Sequence, residues 1–259
     1  MRQLPECLAS GRFARLPATS AAGSHECAAD LGGCITRRGL HALRLKADLR
    51  SVASQRMLTR VRITKYTHSC VRLELAGGGT LVIDPGIWSE PQALDGADSV
   101  LVTHDHADHV DLLRLKGLGV PVYAPRSSRM PGLDFIGVDV GEDFTAAGFQ
   151  VSALGGRHAP TYGGLPDCAN LGYLVGNSLY HPGDSLHLPD RPVETLLVPM
   201  QASWMRTDEA IDFVRAIKPE RAYGIHDAQL NERGLSSVDG WLSEACGDRY
   251  RWLPPCSSA

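Results

Sequence analysis

The chain has 259 residues, 43% of them hydrophobic, with 27 glycines and 16 prolines, enough for a large core in one domain or two small ones with many turns. No stretch approaches the roughly 20 apolar residues of a membrane span, Met1 to Ser20 holds no continuous apolar run of the kind a secretory signal needs, and seven scattered cysteines without a C-x-x-C pair suggest reduced thiols in a cytoplasm. The net charge of −3 is uneven, with 9 Lys/Arg against 4 Asp/Glu in residues 1–56 and 17 against 25 in residues 57–259, so the larger, acidic part argues against nucleic acid as a partner.

Residues 1–56 show no sustained period of 2 or 3.6, apart from a short helical pattern near Leu40 to Leu49. They read as an N-terminal extension: a disordered basic segment, a small accessory element, or sequence upstream of a working start at Met57. Residues 57–259 form the organised domain. Val61 to Tyr66 and Cys70 to Leu75 alternate as strands, with a glycine turn at Gly77-Gly78-Gly79 and a further strand at Thr80 to Ile83. Asp84-Pro85-Gly86 ends that strand. Ser99 to Thr103 is the next, with a helix expected over Val110 to Gly117. Strands follow at Val120 to Tyr123, Phe149 to Leu154, Asn170 to Val175, Ser178 to Tyr180 and Thr195 to Val198. Thr207 to Ile217 carries an apolar stripe at helical spacing, capped by Thr207 or Asp208 and stopped by Pro219. Arg221 to Ile225 is a strand, and Ser237 to Ala245 a terminal helix. Two groups of strands, each interrupted by helices, predict an α/β sandwich of packed sheets with helices outside. No internal repeat is visible.

The segment Thr103-His104-Asp105-His106-Ala107-Asp108-His109 places three histidines and two aspartates directly after an apolar strand. Imidazole and carboxylate together suit zinc, and also manganese or iron. His104 and His106 are too close in sequence to share a helix face, so an irregular loop is expected, with Asp108 and His109 opening the helix behind it. A solvated polar loop is the plainer reading, but so many ionisable groups in six positions weigh against it. His158, Asp184 and His226 each stand just beyond a strand, where ligands from distant positions can converge. Alone, each is more often a loop residue or a hydrogen-bonded core side chain.

The motif His104-Asp105-His106-Ala107-Asp108-His109 matches the H-x-H-x-D-H signature of the metallo-β-lactamase superfamily, which this chain resembles from about Val61 to about Trp241. Within it, Lys65-Tyr66-Thr67-His68-Ser69-Cys70, Asp84-Pro85-Gly86, Gly156-Arg157-His158-Ala159, Gly183-Asp184-Ser185 and Gly224-Ile225-His226-Asp227 are similar to the branch of ascorbate-6-phosphate lactonase and N-acyl-phosphatidylethanolamine phospholipase D type hydrolases. The resemblance implies a single four-layer αββα sandwich. It also implies two divalent metal ions, zinc ahead of manganese and manganese ahead of iron. His104, His106 and His158 would hold the first, Asp108, His109 and His226 the second, with Asp184 bridging. Two cations sharing a water would bring its deprotonation near neutral pH and stabilise a developing oxyanion. Asp108 would orient the nucleophile.

Further residues carry open readings. His68 could donate to a substrate oxygen or to an outer carboxylate. Asp105 could hold a ligand histidine or cap the following helix. Arg157 could meet a phosphate, while Trp88, Tyr162, Trp204 and Met205 could line the pocket. His181 and His187 are not expected to bind metal. The function so implied is hydrolysis of an ester, lactone or phosphodiester of a phosphate-bearing small molecule. A diiron oxidoreductase on the same fold, or a non-catalytic metal-binding protein, stands as the alternative. A small-molecule substrate, no membrane span and an unread oligomeric state complete the expectation.

Overall fold

The computed structural model describes residues 61–163 and 168–259; the extension 1–56 and its boundary at Met57 lie outside them. Within the described residues the chain forms two seven-stranded sheets. The first runs β1 (Val61–Lys65), β2 (Val71–Leu75), β3 (Thr80–Ile83), β4 (Ser99–Leu101), β5 (Val122–Pro125) and β6 (Ile136–Val138), with β14 (Ser257–Ser258) beside β1. The second runs β7 (Asp143–Ala146), β8 (Phe149–Gly155), β9 (Leu171–Val175), β10 (Leu179–His181), β11 (Thr195–Pro199), β12 (Arg221–Ile225) and β13 (Tyr250–Trp252). Spatial order follows chain order in both, β14 excepted. Each sheet begins as an antiparallel meander and continues with parallel strands: β3 to β6 in one, β10 to β13 in the other. This repeated pairing scheme has no visible counterpart in the sequence.

Alternation within the strands builds the layers. Leu81, Ile83 and Leu101 join Leu171, Tyr173, Val175 and Leu197 in a core between the sheets. Their neighbours Val82, Val100 and Val102 face the other way, against Val110 and Leu115 around helix α1 (Leu112–Lys116). On the second sheet Leu174, Leu196 and Val198 turn outward to Phe213 and Val214 of α2 (Thr207–Ile217) and Val238 and Leu242 of α3 (Glu232–Cys246). Successive side chains of a strand point to opposite faces, so strands apolar on both sides serve two cores at once. The result is the αββα sandwich expected from the sequence.

Several element limits differ from the sequence reading. The helix expected from Val110 is a single turn starting at Leu112, because the Asp111 carboxylate accepts from Leu113 N and Arg114 N and caps it there. Asp108 and His109 therefore belong to a loop, not to the helix start. Helix α2 keeps its limits, but the cap position is Arg206, whose backbone N–H donates to Glu209 Oε2 at 2.7 Å. Helix α3 begins earlier than expected, at Glu232, behind the cap Asn231. Strands β6, β7, β13 and β14 escaped the sequence reading because they are short and mostly half-exposed, as at Ile136, which is 48% exposed.

Candidate metal centre

Strand ends deliver the site. Asp84 follows β3, the segment His104–His109 follows β4, His158 follows β8, Asp184 follows β10, and His226 is the first residue beyond β12. The turn Asp84–Gly86 packs against the histidine-rich loop so closely that a Cβ on Gly86 would lie 1.8 Å from Asp108 O. Ile87 N donates to Ala107 O (2.9 Å), and Asp111 N to Pro85 O (3.0 Å). Arg114 clamps the turn through Gly86 O and Ser89 O. On the second sheet, Asn170 Oδ1 accepts from Asp184 N (2.9 Å) while its Nδ2 donates to Pro182 O (2.9 Å), pinning the Asp184 loop. Gly183 turns that loop at φ +61°, where a side chain would run into Asn170 and Thr103.

These elements bring together all seven sequence-predicted metal ligands. Donor atoms of His104, His106 and His158 lie within 4.8 Å of one another, as do those of His68, Asp108, His109 and His226, and those of His104, His109 and Asp184. Asp184 stands in the middle: Oδ2 is 3.1 Å from His226 Nε2 and 3.4 Å from His158 Nε2, and Oδ1 is 3.1 Å from His109 Nε2.

Outer acceptors fix which imidazole nitrogen faces inward. His109 Nδ1 donates to Asp84 Oδ2 (2.7 Å), His158 Nδ1 to Ala159 O (2.6 Å) and His226 Nδ1 to Gln201 O (2.5 Å). His104 Nδ1 donates to Thr103 Oγ1 (3.0 Å), whose own proton goes to Asp84 Oδ2 (2.7 Å). In all four Nε2 is the nitrogen that faces the centre, where its lone pair becomes available to a cation that displaces any proton there. His106 is reversed, with Nδ1 facing His104 Nε2 at 3.1 Å and Nε2 directed to Cys168 Sγ at 3.8 Å.

His109 Nε2 and Asp184 Oδ1 are buried and lack any hydrogen-bond partner. Two lone pairs 3.1 Å apart in a dry interior repel unless a proton or a cation lies between them. The electrostatics carry the same signature. Burial alone would pull His109 down, yet the carboxylates of Asp184 and Asp84 outweigh it and hold the imidazole well above its ordinary pKa, so in the metal-free chain a proton on Nε2 takes the place between the two atoms that a cation would fill. Burial would raise Asp184, but His109 and His226 hold it well below the carboxylate range. His104 is driven well below its ordinary value by burial and by the charge of His109, so it stays neutral. A buried imidazole cluster around a carboxylate, nitrogen lone pairs inward, fits a divalent cation.

The other sequence candidates fall into place around this centre. His68, on the β1–β2 turn at φ +67°, is buried; Ala228 N–H donates to its Nδ1 (3.4 Å), which leaves a proton on Nε2 for Asp108 Oδ2 at 3.2 Å. Burial lowers its pKa to about 4, and the hydrogen bond from His68 brings Asp108 down to about 2 against the effect of burial. Trp88 sets its ring edge-on to His68 at 4.8 Å, while Trp204 lies 5.9 Å from His158 and 6.2 Å from His226, ring to ring. Tyr162 is 80% exposed and Arg157 is exposed. Met205 packs on the outer core beside α2. His181 is buried, donating Nε2 to Ser69 O (2.9 Å) and accepting from Gly183 N at Nδ1 (3.1 Å). Asp105 neither holds a ligand histidine nor caps a helix; Oδ2 accepts from Arg129 N at 2.6 Å. The outer carboxylate is Asp84, read in the sequence as a strand end and as part of a motif carrying the resemblance, but given no role at the centre. Asn170 and Gln201 had no sequence signal at all.

Two facing mixed sheets, helices on both outer faces and a histidine-aspartate centre at the strand ends define a protein of the metallo-β-lactamase fold. A family model described as the beta-lactamase superfamily domain matches residues 62–226, and the chain belongs to that superfamily. Protein Rv0786c of Mycobacterium tuberculosis is 35% identical over 206 residues, covering 75% of this chain and 97% of the relative. A UPF0173 metal-dependent hydrolase of Korarchaeum cryptofilum is 32% identical over 141 residues, covering 48% of this chain and 60% of the relative. Among solved structures, the metallo hydrolase Igni18 of Ignicoccus hospitalis superposes with a TM-score of 0.60 at 18% identity, covering 77% of this chain and 97% of its own. The diiron β-hydroxylase CmlA of Streptomyces venezuelae gives 0.61 at 18%, covering 77% and 54%; at such identities the likeness is one of fold. No helix among the described residues is long and apolar enough to cross a membrane.

Proposed function

We propose that this chain is a metal-dependent hydrolase that uses two divalent cations on an ester, lactone or phosphodiester of a phosphate-bearing small molecule. The buried pair His109 Nε2 and Asp184 Oδ1, 3.1 Å apart with no well-aligned hydrogen bond to any other group, supports it most, because it asks for positive charge at the centre of a histidine cluster. His104, His106 and His158 would hold one cation, Asp108, His109 and His226 the other, and Asp184 both. The donors are nitrogen and oxygen, which suits zinc first, then manganese, then iron. Bound cations would supply Lewis acidity toward a carbonyl or phosphoryl oxygen and ease the deprotonation of water.

The protein's own part is orientation. His68 holds one Asp108 oxygen, leaving the other to direct the attacking water. Asp84 keeps His109 in the tautomer that presents Nε2. Trp88 and Trp204 set their rings against His68 and His158 at the edge of the centre. Arg157, next to His158 in the chain, is the candidate for a phosphate contact.

Elemental analysis of the purified chain, paired with assays on a phosphodiester, a phosphorylated lactone and a carboxylic ester, tests this reading. About two zinc or manganese ions per chain and hydrolysis lost in Asp184→Asn are expected. Iron with redox turnover and no hydrolysis would transfer the site to oxidative chemistry. Failure to take up any metal on reconstitution would overturn the reading altogether.

A further inference from the structure

We propose that Trp204 is a positioning residue: its indole N–H sets the orientation of the Asp184 carboxylate that receives the two cations. The inference rests on the two-metal reading above and concerns how the bridging group is aimed. Trp204 Nε1 donates to Asp184 Oδ2 at 3.0 Å. Oδ2 also has His226 Nε2 and His158 Nε2 close by, but those rings have committed their Nδ1 protons to Gln201 O and Ala159 O. His226 Nε2 also lies in hydrogen-bond range of Oδ2 at 3.1 Å, but a ring nitrogen that takes a cation has no proton left to give. The indole proton is fixed on nitrogen whatever the tautomers, so it is the donor at Oδ2 that stays in place as the centre fills or empties.

Position reinforces the assignment. Trp204 sits in the turn between β11 and α2, closed by a bridge between Ala202 and Met205. The same turn supplies Gln201 O, which fixes the His226 tautomer, and Met200 N anchors it to Ile225 O at 2.9 Å. One short segment thus aims two of the ligands, His226 and Asp184. A tryptophan serving only as a pocket wall would not need its polar edge turned to a buried carboxylate. Outer partners of this kind, when removed, weaken metal binding about 10- to 100-fold.

The test is a zinc titration of the metal-stripped full-length chain against a chromophoric chelator, following tryptophan emission at the same time. It compares the native protein, Trp204→Phe and, as a control, Trp241→Phe on the exposed face of α3. The expected result is zinc affinity about tenfold weaker in Trp204→Phe with the Trp88 emission still responding to zinc, and no change of affinity in Trp241→Phe. Zinc affinity within twofold of native in Trp204→Phe overturns the proposal while leaving the two-metal reading intact. Absence of zinc uptake by the native chain itself brings both down. Should the phenylalanine variant not fold, 3-benzothienylalanine at position 204 replaces it, exchanging only the N–H for sulfur.

Discussion

His68 is buried and neutral, placed between a backbone amide and a carboxylate, and this has a measurable consequence for the metal-free chain. Burial lowers its pKa to about 4, whereas an unfolded histidine titrates near 6.5. Between those values the unfolded state binds the extra proton, so this contribution is present above about pH 6.5 and is lost as pH falls toward about 4. Thermal melts of metal-free native protein and His68→Asn should show the stability gap between them shrinking across that window. A gap constant over the same range would contradict the assignment. Asp84 gives a second prediction at this scale. It binds no cation in our assignment, yet Asp84→Asn should weaken zinc binding about 10- to 100-fold in chelator competition, since an amide can offer His109 Nδ1 a proton of its own. Unchanged affinity would show that His109 is held by something else.

Between elements, the decisive contact is the turn after β3 against the loop after β4. Gly86 is required there because a side chain has no room: its Cβ would overlap Asp108 O, and that oxygen belongs to the backbone, which cannot swing aside as a side chain could. Gly86→Ala should therefore displace the His104–His109 loop and abolish high-affinity metal uptake, even if the two sheets still form. Circular dichroism together with metal stoichiometry checks this. Full stoichiometry with native affinity in the variant would show that the loop adapts. The sequence marked Asp84-Pro85-Gly86 as the end of a strand, but nothing local indicated that a second loop rests on it.

Across the whole molecule, the sheets are joined behind the centre by a buried ion pair. Lys65 Nζ on β1 meets Asp227 Oδ2 at 2.8 Å, and Asp227 also accepts from Trp252 Nε1 of β13 and from His68 N. Both charged side chains are almost wholly buried. Removing one partner leaves the other charge uncompensated, so Lys65→Met should lose about 3–5 kcal/mol in chemical denaturation; a loss below about 1 kcal/mol would show that water or rearrangement relieves Asp227. The candidate ligands and this pair all lie within residues 65–227. A chain begun at Met57 is therefore proposed to fold and bind zinc as the full chain does, and an affinity more than tenfold weaker would assign the first 56 residues a part in the site.

Read without coordinates, the chain already named the candidate ligands and the layering. His104–His109 condenses five ionisable side chains onto one loop, and the strands alternate with a period of 2, so both signals are local and survive without coordinates. The histidine motif carried the resemblance to the superfamily, and that resemblance implied the αββα sandwich and the candidate metal ligands His158, Asp184 and His226 beyond the motif. How those candidate ligands are held could be read only once the chain was folded. Asp84, Asn170, Gln201 and Trp204 reach the centre through contacts spanning from 14 to 25 positions in the chain. A hydrogen bond between distant positions leaves no periodicity, and a lone aspartate or tryptophan looks the same whether it faces solvent or a ligand. Tautomers, the direction of a carboxylate and the closeness of one backbone to another arise where chain segments meet, so the fold had to place them.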